Sequence, residues 1–414
     1  MFLEKILQKI LRFFAEITLR KYQPKIVVIV GSIGKTSAKE AIYSVLSGKF
    51  KTRRSIKNYN NEIGVPLTII NCDSGEKSLF KWLGIFLKAI LLNIFKNKDY
   101  PQFLVLEMAA DKKGDIKYLM DMIPQKLLKV VVLTAITPVH LEFFENVNNI
   151  FEEKTTPFSY LEKDGSVIFN MDNCDVYKVK EKVSSKLLTY GLNKDADINA
   201  LEIEYNDSGL KFKINCKDQI VSLELKDAIA DYQIYPILAG VSVGICFNLE
   251  LDETIKSLKT YKILSRRMQK LAGIKNSIVI DDTYNSSPEA LKKAIQALNN
   301  LSFGQRKIAV LGDMLEMGKD SEKLHRQIGE MISKTNMDYL ITFGEKAKYI
   351  SDQVLENNAF KDKVFHFSEK DKIIEFIKEI IKENDVILVK GSLSMEMEKI
   401  VEKITNKYDW KKEN

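Results

Sequence analysis

The sequence predicts an α/β protein in two parts: a phosphate-loop (P-loop) domain with a mostly parallel sheet, then a Rossmann-like α/β domain. Apolar, β-branched runs that are typical of buried strands alternate with helical patterns almost to the end of the chain. The first of these runs, Ile26–Val30, ends in a glycine-rich turn that a helix-forming segment follows. Together these two observations predict the fold class.

Eight apolar segments are expected to form parallel strands. They are Ile26–Val30, Phe103–Glu107, Val130–Thr134 and Ser166–Asn170 in the first part, and Ser277–Asp281, Lys307–Leu311, Tyr339–Phe343 and Val386–Lys390 in the second. Near the end of the first part, 197–201, 211–215 and 220–225 predict a small antiparallel patch before a helix over about 232–247. The motifs change near Leu264, so we predict an amphipathic helix over 1–24 and domains over 25–263 and 264–414.

The composition excludes several classes of protein. The 414 residues are 45% hydrophobic and 29% charged with a net charge of +7, as in ordinary globular proteins, so no nucleic-acid partner is expected. The four cysteines form no Cys-x-x-Cys pair and there are three histidines. A cysteine or multi-histidine metal cluster is therefore not expected.

Two segments, 1–23 and 79–95, carry apolar residues at helical spacing interrupted by basic residues. No apolar run reaches the roughly 18 residues that a membrane span needs. Each helix is expected either to lie in a membrane interface or to pack on the protein's own body or a partner. The second segment, apolar over most of its circumference, is the better candidate for contact with the inner face of a membrane.

The turn after the first strand is a shortened GxxGKT phosphate loop. Its expected ATP-binding residues are Gly31, Ser32, Gly34, Lys35, Thr36 and Ser37. The glycines let backbone N–H groups and the helix N-terminus face an anion. Lys35 would reach the β- and γ-phosphates, and the Thr36 hydroxyl would bind Mg²⁺. Because Ile29 stands where the longer loop has its first glycine, a chance glycine-rich turn is the alternative.

Further polar residues of the first domain follow apolar strands. Glu107 ends one strand, His140 follows the next, and Lys154 lies in a helix after two glutamates. Ligands of open α/β sheets gather beyond the carboxyl ends of strands. A carboxylate, an imidazole and the Thr36 hydroxyl there could share Mg²⁺ ions around a triphosphate. Taken singly, a capping glutamate or a structural histidine is the alternative.

The second domain has polar strand ends of its own. Ile280–Pro288, Val310–Gly318 and Val389–Ser392 place acidic, aromatic, amide and lysine side chains after apolar runs. Such an edge could close over the nucleotide of the first domain. A Rossmann-like domain with ordinary polar turns is the alternative.

Together these segments resemble the Mur ligase family. The matching segments are GSIGKTS, NYNNEIGVPLT, LEMA, TPVHLEFF, EEK, RRMQ, IDDTYNSSPEAL, VLGDMLEMG, LHRQIGE and LVKGS, in the family's order over about residues 25–400. The match is strongest to the member that adds D-alanyl-D-alanine. The resemblance implies an ATP-dependent amide ligase of peptidoglycan precursor synthesis. Such an enzyme activates a carboxylate as an acyl phosphate and joins it to an amine such as D-alanyl-D-alanine.

The resemblance also implies roles for single residues. Lys35, Thr36 and Asn61 would lie at the ATP phosphates, and two Mg²⁺ ions would be held by Thr36, Glu107, His140 and Lys154. Arg267 would cross from the second domain to ATP, and the adenine side would be contacted by Tyr284 and Asn285. Lys390 and Ser392 would lie near the amino substrate. Lys154 matches the lysine that family members carbamylate into an anionic metal ligand. The expected catalytic set is Lys35, Glu107, His140 and Lys154.

Three features depart from the family pattern. The N-terminal domain that grips a UDP-sugar is not matched, and about 24 residues of basic helix stand in its place. Tyr232 and Gln233 stand where the family usually has His-Asn, and Leu393 and Glu396 stand where relatives carry arginines near the dipeptide carboxylate. The carboxylic acid substrate could therefore be carried on UDP or on a lipid. The protein is expected to act as a monomer in the cytoplasm.

Two alternatives to this function stay open. The first is a related ligase for another amino acid, of the folylpolyglutamate or pseudomurein type. The second is a non-catalytic ATP-binding assembly protein that docks through its amphipathic helices. Glu107, His140 and Lys154 favour a ligase, because a pure ATP sensor needs no carbamylated lysine.

Overall fold

The computed structural model describes residues 2–56, 59–139, 141–206, 208–217, 219–356 and 361–406. These residues form two sheets, each covered by helices on both faces. The α/β class with mostly parallel sheets that the sequence predicts is confirmed.

The first sheet is mostly parallel. Its strands are β1 (Lys25–Val30), β2 (Thr52–Arg54), β3 (Phe103–Glu107), β4 (Leu128–Leu133), β5 (Ser166–Asn170), β6 (Lys186–Gly191), β7 (Ile198–Asn206), β8 (Gly209–Cys216) and β9 (Gln219–Lys226). Their spatial order is β2-β3-β1-β4-β5-β6-β7-β8-β9. Pairs up to β6–β7 are parallel, and β7, β8 and β9 pair antiparallel. The predicted antiparallel segment exists, but it extends the parallel sheet and is not a separate patch.

Helices cover both faces of this sheet because alternate residues of its buried strands point to opposite sides. They are α1 (Phe2–Tyr22), α2 (Lys35–Ser47), α3 (Gly64–Ile70), α4 (Leu79–Ile94), α5 (Asp115–Met120), α6 (Leu141–Phe144), α7 (Val147–Thr155), α8 (Val176–Lys182), α9 (Tyr235–Cys246) and α10 (Leu251–Leu258). Val27 and Ile29 of β1 pack with α2 and α9 in one core. Ile26 and Val28 belong to the core on the other face.

The second sheet is parallel except at one edge. Its strands are β10 (Gln269–Ala272), β11 (Ile278–Asp282), β12 (Lys307–Gly312), β13 (Tyr339–Phe343), β14 (Val364–Phe367) and β15 (Val386–Lys390), and its helices are α11 (Pro288–Asn300), α12 (Ser321–Ile332), α13 (Lys348–Glu356), α14 (Lys370–Ile380) and α15 (Glu398–Ile404). The spatial order is β10-β11-β15-β12-β13-β14, with only β10 antiparallel. The predicted boundary at Leu264 falls in the connection between α10 and β10.

The two amphipathic segments pack on the protein's own body with one face each. Leu11, Ala15 and Leu19 of α1 are fully buried, and Lys21 Nζ donates to three carbonyls at the end of α4. The outer face of α4 is exposed. Within the described ranges, no helix has the length and apolar character that crossing a membrane requires.

The topology brings the polar strand ends together. Because β3, β1 and β4 are neighbours, Glu107, Gly31 and Thr134 lie at one edge of the first sheet. The neighbouring β11 and β15 end at Asp282 and Lys390 in the second sheet. Both edges line one cleft.

Candidate active site

A cavity of about 710 Å³ lies between the carboxyl edges of the two sheets. Its walls include the phosphate loop and Glu107 from the first sheet, and Arg267, Tyr284 and Lys390 from the second part of the chain. Small-molecule sites usually enclose about 300–1,000 Å³ and lie at such strand ends. The sites predicted separately in the two domains therefore form one cleft.

The phosphate loop depends on two glycine conformations. Gly31 has a φ of +139° and Gly34 a φ of +80°, which other residues rarely adopt. A Cβ atom on Gly31 would also lie 2.2 Å from Thr134 Oγ1. That hydroxyl donates to the carbonyl oxygen of Ile33 at 2.6 Å and ties the loop to the end of β4. No side chain caps the N-terminus of α2, so its first N–H groups are available to an anion.

Lys35 lies folded over this loop. Its Nζ donates to the carbonyl oxygens of Gly31 at 2.9 Å and Ser32 at 3.3 Å. Burial lowers the pKa of its ammonium group, and the charge of Glu107 acts in the opposite direction. Anionic phosphate oxygens would be stronger partners for this ammonium than the neutral carbonyls. The geometry fits the role predicted for Lys35.

A hydroxyl and a buried carboxylate form the part of the cleft that suits Mg²⁺. Thr36 Oγ1 donates to Glu107 Oε1 at 3.2 Å, and Asn60 Nδ2 donates to the same oxygen at 3.2 Å. Lys39 Nζ lies 3.6 Å from Glu107 Oε2 and balances part of its charge. Mg²⁺ prefers a few protein oxygens together with substrate phosphates and water. Thr36 and Glu107 fit such a site, although among the described residues no three or more His, Cys, Asp or Glu side chains are grouped so that they could hold a metal ion by themselves.

Asn61 does not reach the cleft. Its Oδ1 accepts hydrogen bonds from the backbone N–H groups of Ile63 at 3.2 Å and Gly64 at 2.9 Å, at the start of α3, and its side chain is exposed. Asn60 contacts Glu107 and lines the cavity. The amide-rich sequence marks this segment, but it does not show that Asn61 binds backbone N–H groups near the start of α3 while Asn60 turns inward. Asn60 is the residue that the sequence prediction missed.

His140 lies outside the described residues. Val139, which precedes it, lines the cavity. The expected metal-binding role of this histidine stays a prediction.

Lys154 is buried beside the cleft and is not among the residues that line it. Its side chain is 2% exposed, and its Nζ donates to the carbonyl oxygen of Ala110 at 3.3 Å, just beyond β3. Burial, together with the positive charge of Lys35, lowers the pKa of Lys154 to about 7. Much of this amine is therefore uncharged near neutral pH.

Arg267 joins the second part of the chain to the phosphate loop. Its Nη2 donates to Thr36 Oγ1 at 3.0 Å, and its guanidinium carbon lies 3.8 Å from the centre of the Tyr284 ring. The preceding Arg266 turns away from the cleft and donates to Glu398 Oε2 at 2.8 Å. Of the two adjacent arginines, only Arg267 lines the cavity.

Lys390, Ser392 and Asn285 line the cavity. They also make contacts that connect the loops after strands β11, β12 and β15. Lys390 Nζ lies 2.6 Å from Asp282 Oδ2 and donates to the carbonyl oxygen of Asn285 at 2.7 Å. Ser392 Oγ accepts a hydrogen bond from the Leu315 N–H at 2.9 Å. These residues therefore shape the second-domain wall of the cavity, and the predicted role of Lys390 and Ser392 near an amino substrate stays a prediction.

The far end of the cavity contains contacts that the sequence analysis did not identify. Lys293 Nζ of α11 donates to Asn173 Oδ1, in the loop after β5, at 2.7 Å. Gln233 Oε1 accepts hydrogen bonds from the N–H groups of Ile229 and Ala230 and so orders its own turn. Lys293 belongs to no motif, so no local sequence signal could have identified this link between the two parts.

Comparison with known proteins finds two matching family models. The Mur ligase middle domain matches residues 88–244, and the Mur ligase, glutamate ligase domain matches residues 266–393. The UDP-N-acetylmuramoyl-tripeptide–D-alanyl-D-alanine ligase of Bacillus subtilis is 26% identical over 391 residues, which cover 94% of this chain and 78% of that protein.

Two solved structures share the fold. The MurF ligase of Thermotoga maritima in complex with ADP has a TM-score of 0.78 and 26% identity, with 96% of this chain and 83% of that chain covered. MurF from Acinetobacter baumannii has a TM-score of 0.79 and 21% identity, with 96% and 79% covered. The arrangement of the two sheets is therefore similar to that of these ligases.

Proposed function

Because the chain belongs to the Mur ligase family, we propose that it is an ATP-dependent ligase of peptidoglycan precursor synthesis. It joins a peptide carboxylic acid to an amine such as D-alanyl-D-alanine. The observation that carries this proposal is the contact of Arg267 with Thr36, which brings both parts of the chain to one phosphate-binding cleft. The named relative from Bacillus subtilis, which spans nearly the whole chain, supports the choice of acid and amine.

The first step is ATP binding on the phosphate loop. The N–H groups at the start of α2 hold phosphate oxygens, and Lys35 exchanges its contacts with the Gly31 and Ser32 carbonyls for the β- and γ-phosphates. Arg267 lies close enough to Thr36 to hold phosphate charge from the opposite wall.

Thr36 and Glu107 are the described residues that would hold Mg²⁺, and we propose His140 and Lys154 as the further ligands of two ions. Bound Mg²⁺ neutralises charge on the transferring phosphoryl group and on the acid. Asn60 and Lys39 hold the Glu107 carboxylate in place.

The chemistry proceeds in two displacements. A carboxylate oxygen of the acid attacks the γ-phosphorus, the bond to ADP breaks, and an acyl phosphate forms. The amine nitrogen then attacks the acyl carbon, the bond to phosphate breaks, the nitrogen loses a proton and an amide remains. Lys35 and Arg267 stabilise the charge of the phosphoryl group. Walls from both parts of the chain exclude water, which would hydrolyse the acyl phosphate.

We also propose that Lys154 is carbamylated. Carbamylation needs an uncharged amine, which adds to carbon dioxide and releases a proton. A pKa of about 7 supplies that amine near neutral pH, whereas an ordinary lysine is almost fully protonated there. The resulting carbamate would be an anion close to Lys35 and would add a metal ligand to those that Thr36 and Glu107 supply.

The carbamylation proposal predicts a chemical rescue. Lys154→Ala should lower turnover by at least about 100-fold, because a metal ligand is lost, and acetate or formate should restore part of it. Phosphate release measures both effects, and Lys163→Ala, an exposed lysine near the same helix, is the control. Full activity of Lys154→Ala would exclude a catalytic role, and an inactive, folded variant without rescue would exclude the carbamate.

An assay with two substrates identifies the acid and the amine. Phosphate release from ATP is measured with UDP-N-acetylmuramoyl-tripeptide and D-alanyl-D-alanine, separately and together, and products are weighed by mass spectrometry. Turnover only with both and a new amide mass is the expected result. Turnover with glutamate in place of the dipeptide would instead indicate a ligase of the folylpolyglutamate type, and ATP binding without turnover for any pair would indicate an assembly protein.

We place the reaction in the cytoplasm, where ATP is available, with the acid on a UDP or lipid carrier. One chain suffices in this proposal, since both walls of the cleft come from the same chain. Analytical ultracentrifugation of the active enzyme tests this point, and activity confined to a dimer would contradict it.

A further inference from the structure

The outside of the first domain carries a large uncovered apolar surface. We call it the α4 surface, and its side chains are 41–86% exposed: Leu79, Phe80, Leu83, Leu87, Ile90, Leu91, Ile94 and Phe95. Ile6, Ile10 and Phe13 of α1, at 38–58% exposure, add a neighbouring stripe. Single exposed apolar residues are ordinary, but a contiguous group of this size marks a surface that another body covers.

The α4 surface is held rigidly on the domain. Phe86 stacks on Phe14 of α1 with 6.3 Å between ring centres, and Ala89 is fully buried between them and α3. Lys21 Nζ and the Tyr22 hydroxyl both donate to carbonyl oxygens at the end of α4. One face of α4 therefore makes the packing contacts, and the other face is presented outward as a fixed unit.

The charges around this surface are mainly positive, with Glu76 Oε2 3.7 Å from Lys81 Nζ at one end and Asp99 at the other. Segment 77–98 contains five lysines and no aspartate or glutamate. Those lysines, all exposed, are Lys77, Lys81, Lys88, Lys96 and Lys98. Apolar side chains ringed by cations match the interface of an anionic bilayer, where the side chains enter the acyl boundary and the ammonium groups meet phosphates.

The alternatives fit less well. The 16 residues of α4 span about 24 Å, which is less than the hydrocarbon thickness of about 30 Å. A symmetric contact with a second copy would set the same lysines against each other, and the two carboxylates that flank the segment, Glu76 and Asp99, are outnumbered by its five lysines. We therefore propose that the α4 surface, with the adjoining stripe of α1, docks the protein onto an anionic lipid bilayer.

Co-sedimentation with vesicles tests the proposal independently of any ligase activity, since neither ATP nor substrate is needed. The full chain is mixed with vesicles of phosphatidylcholine alone or with one third phosphatidylglycerol, at low and high salt. Binding to the anionic vesicles that high salt weakens is expected. No binding to anionic vesicles at low salt, or equal binding to both kinds, would overturn the proposal.

Variants separate the two contributions. K81Q/K96Q/K98Q should bind about 100-fold more weakly, since each lysine near an anionic surface contributes about fivefold, and F80S/L87S/I94S should lose binding. Y177S/I220S, which removes exposed apolar side chains elsewhere, is the matched control and should bind normally. Thermal unfolding verifies that each variant folds. Unchanged vesicle binding of F80S/L87S/I94S would contradict the proposal. A parent chain that is dimeric, with an F80S/L87S/I94S variant that is monomeric, would also contradict it, because the surface would then bind a second copy.

Discussion

At the scale of single residues, the phosphate loop depends on backbone conformation as much as on its lysine. Gly31→Ala should lower the free energy of unfolding by about 2–3 kcal/mol, because its φ is +139° and the new methyl group would meet Thr134 Oγ1. Urea denaturation measures the change, and ATP binding should be lost with it.

Gly84 supplies the control for this prediction. A Cβ atom at Gly84 would meet no atom within 4 Å, and the residue lies inside α4. Gly84→Ala should therefore raise the free energy of unfolding by about 0.5–1 kcal/mol. Equal effects of the two substitutions would contradict the account of the loop.

The depressed pKa of Lys154 predicts a pH dependence of stability in buffer purged of carbon dioxide. Because the folded pKa of about 7 lies below the unfolded value of 10.5, the unfolded chain binds more protons between these values. Stability should therefore rise with pH from about 7 upward, by about 2 kcal/mol at pH 9. Below pH 7, Lys154 is charged in the folded protein, and its burial lowers the free energy of unfolding by the full amount.

Lys154→Met isolates this contribution. Urea denaturation of the parent and the variant at pH 7 and pH 9 should show a rise with pH in the parent that the variant lacks. Parallel pH profiles would mean that the amine is not held uncharged in the folded protein.

Some of this detail could be predicted from the sequence and some could not. The loop residues Lys35 and Thr36 follow from spacing alone, because a strand, a glycine turn and a helix fix their positions locally. Asn60 and Lys39 could not be assigned, because their contacts with Glu107 come from segments far apart in the chain. The partner of a side chain depends on packing that local pattern does not encode.

At the scale of elements, most central strands were predicted closely, as was the edge strand β9, whereas the internal strand β6 and the edge strands β10 and β14 were missed. Central strands such as β4 and β15 contain apolar runs, Val130–Leu133 and Val386–Val389, because both of their faces are buried. The edge strands β10 and β14 are four residues long and partly exposed, so they lack that signal. The order of the strands within each sheet depends on the crossover connections, which the local sequence pattern does not determine.

The turn before β10 gives two adjacent arginines opposite tasks, and substitutions should separate them. Arg266 has a φ of +61° and pairs with the largely buried Glu398. Arg266→Ala should lower the free energy of unfolding by about 3–5 kcal/mol, because it leaves that carboxylate buried and unpaired.

Arg267→Ala should leave thermal stability nearly unchanged and lower turnover by at least about 100-fold, because phosphoryl charge loses its partner from the second domain. Calorimetry and phosphate release measure the two effects. A stability loss at Arg267 as large as that at Arg266 would contradict the separation of roles.

At the scale of the whole molecule, the two parts of the chain meet across the cleft at Arg267–Thr36 and at Lys293–Asn173. ATP should stabilise the folded protein by about 2.7 kcal/mol at a concentration 100 times its Kd. Thermal unfolding with and without ATP and Mg²⁺ measures this shift, which Lys35→Met should greatly reduce. An equal shift in that variant would mean that the nucleotide binds elsewhere.

In the proposed mechanism, the cleft activates a carboxylate with ATP. The most direct test uses the peptide acid with both carboxylate oxygens replaced by heavy oxygen, in the presence of ATP and the amine. Formation of an acyl phosphate predicts one heavy oxygen in each inorganic phosphate released, detected by mass spectrometry together with the amide product. Release of phosphate without heavy oxygen would show that water attacks ATP directly, and would contradict the account.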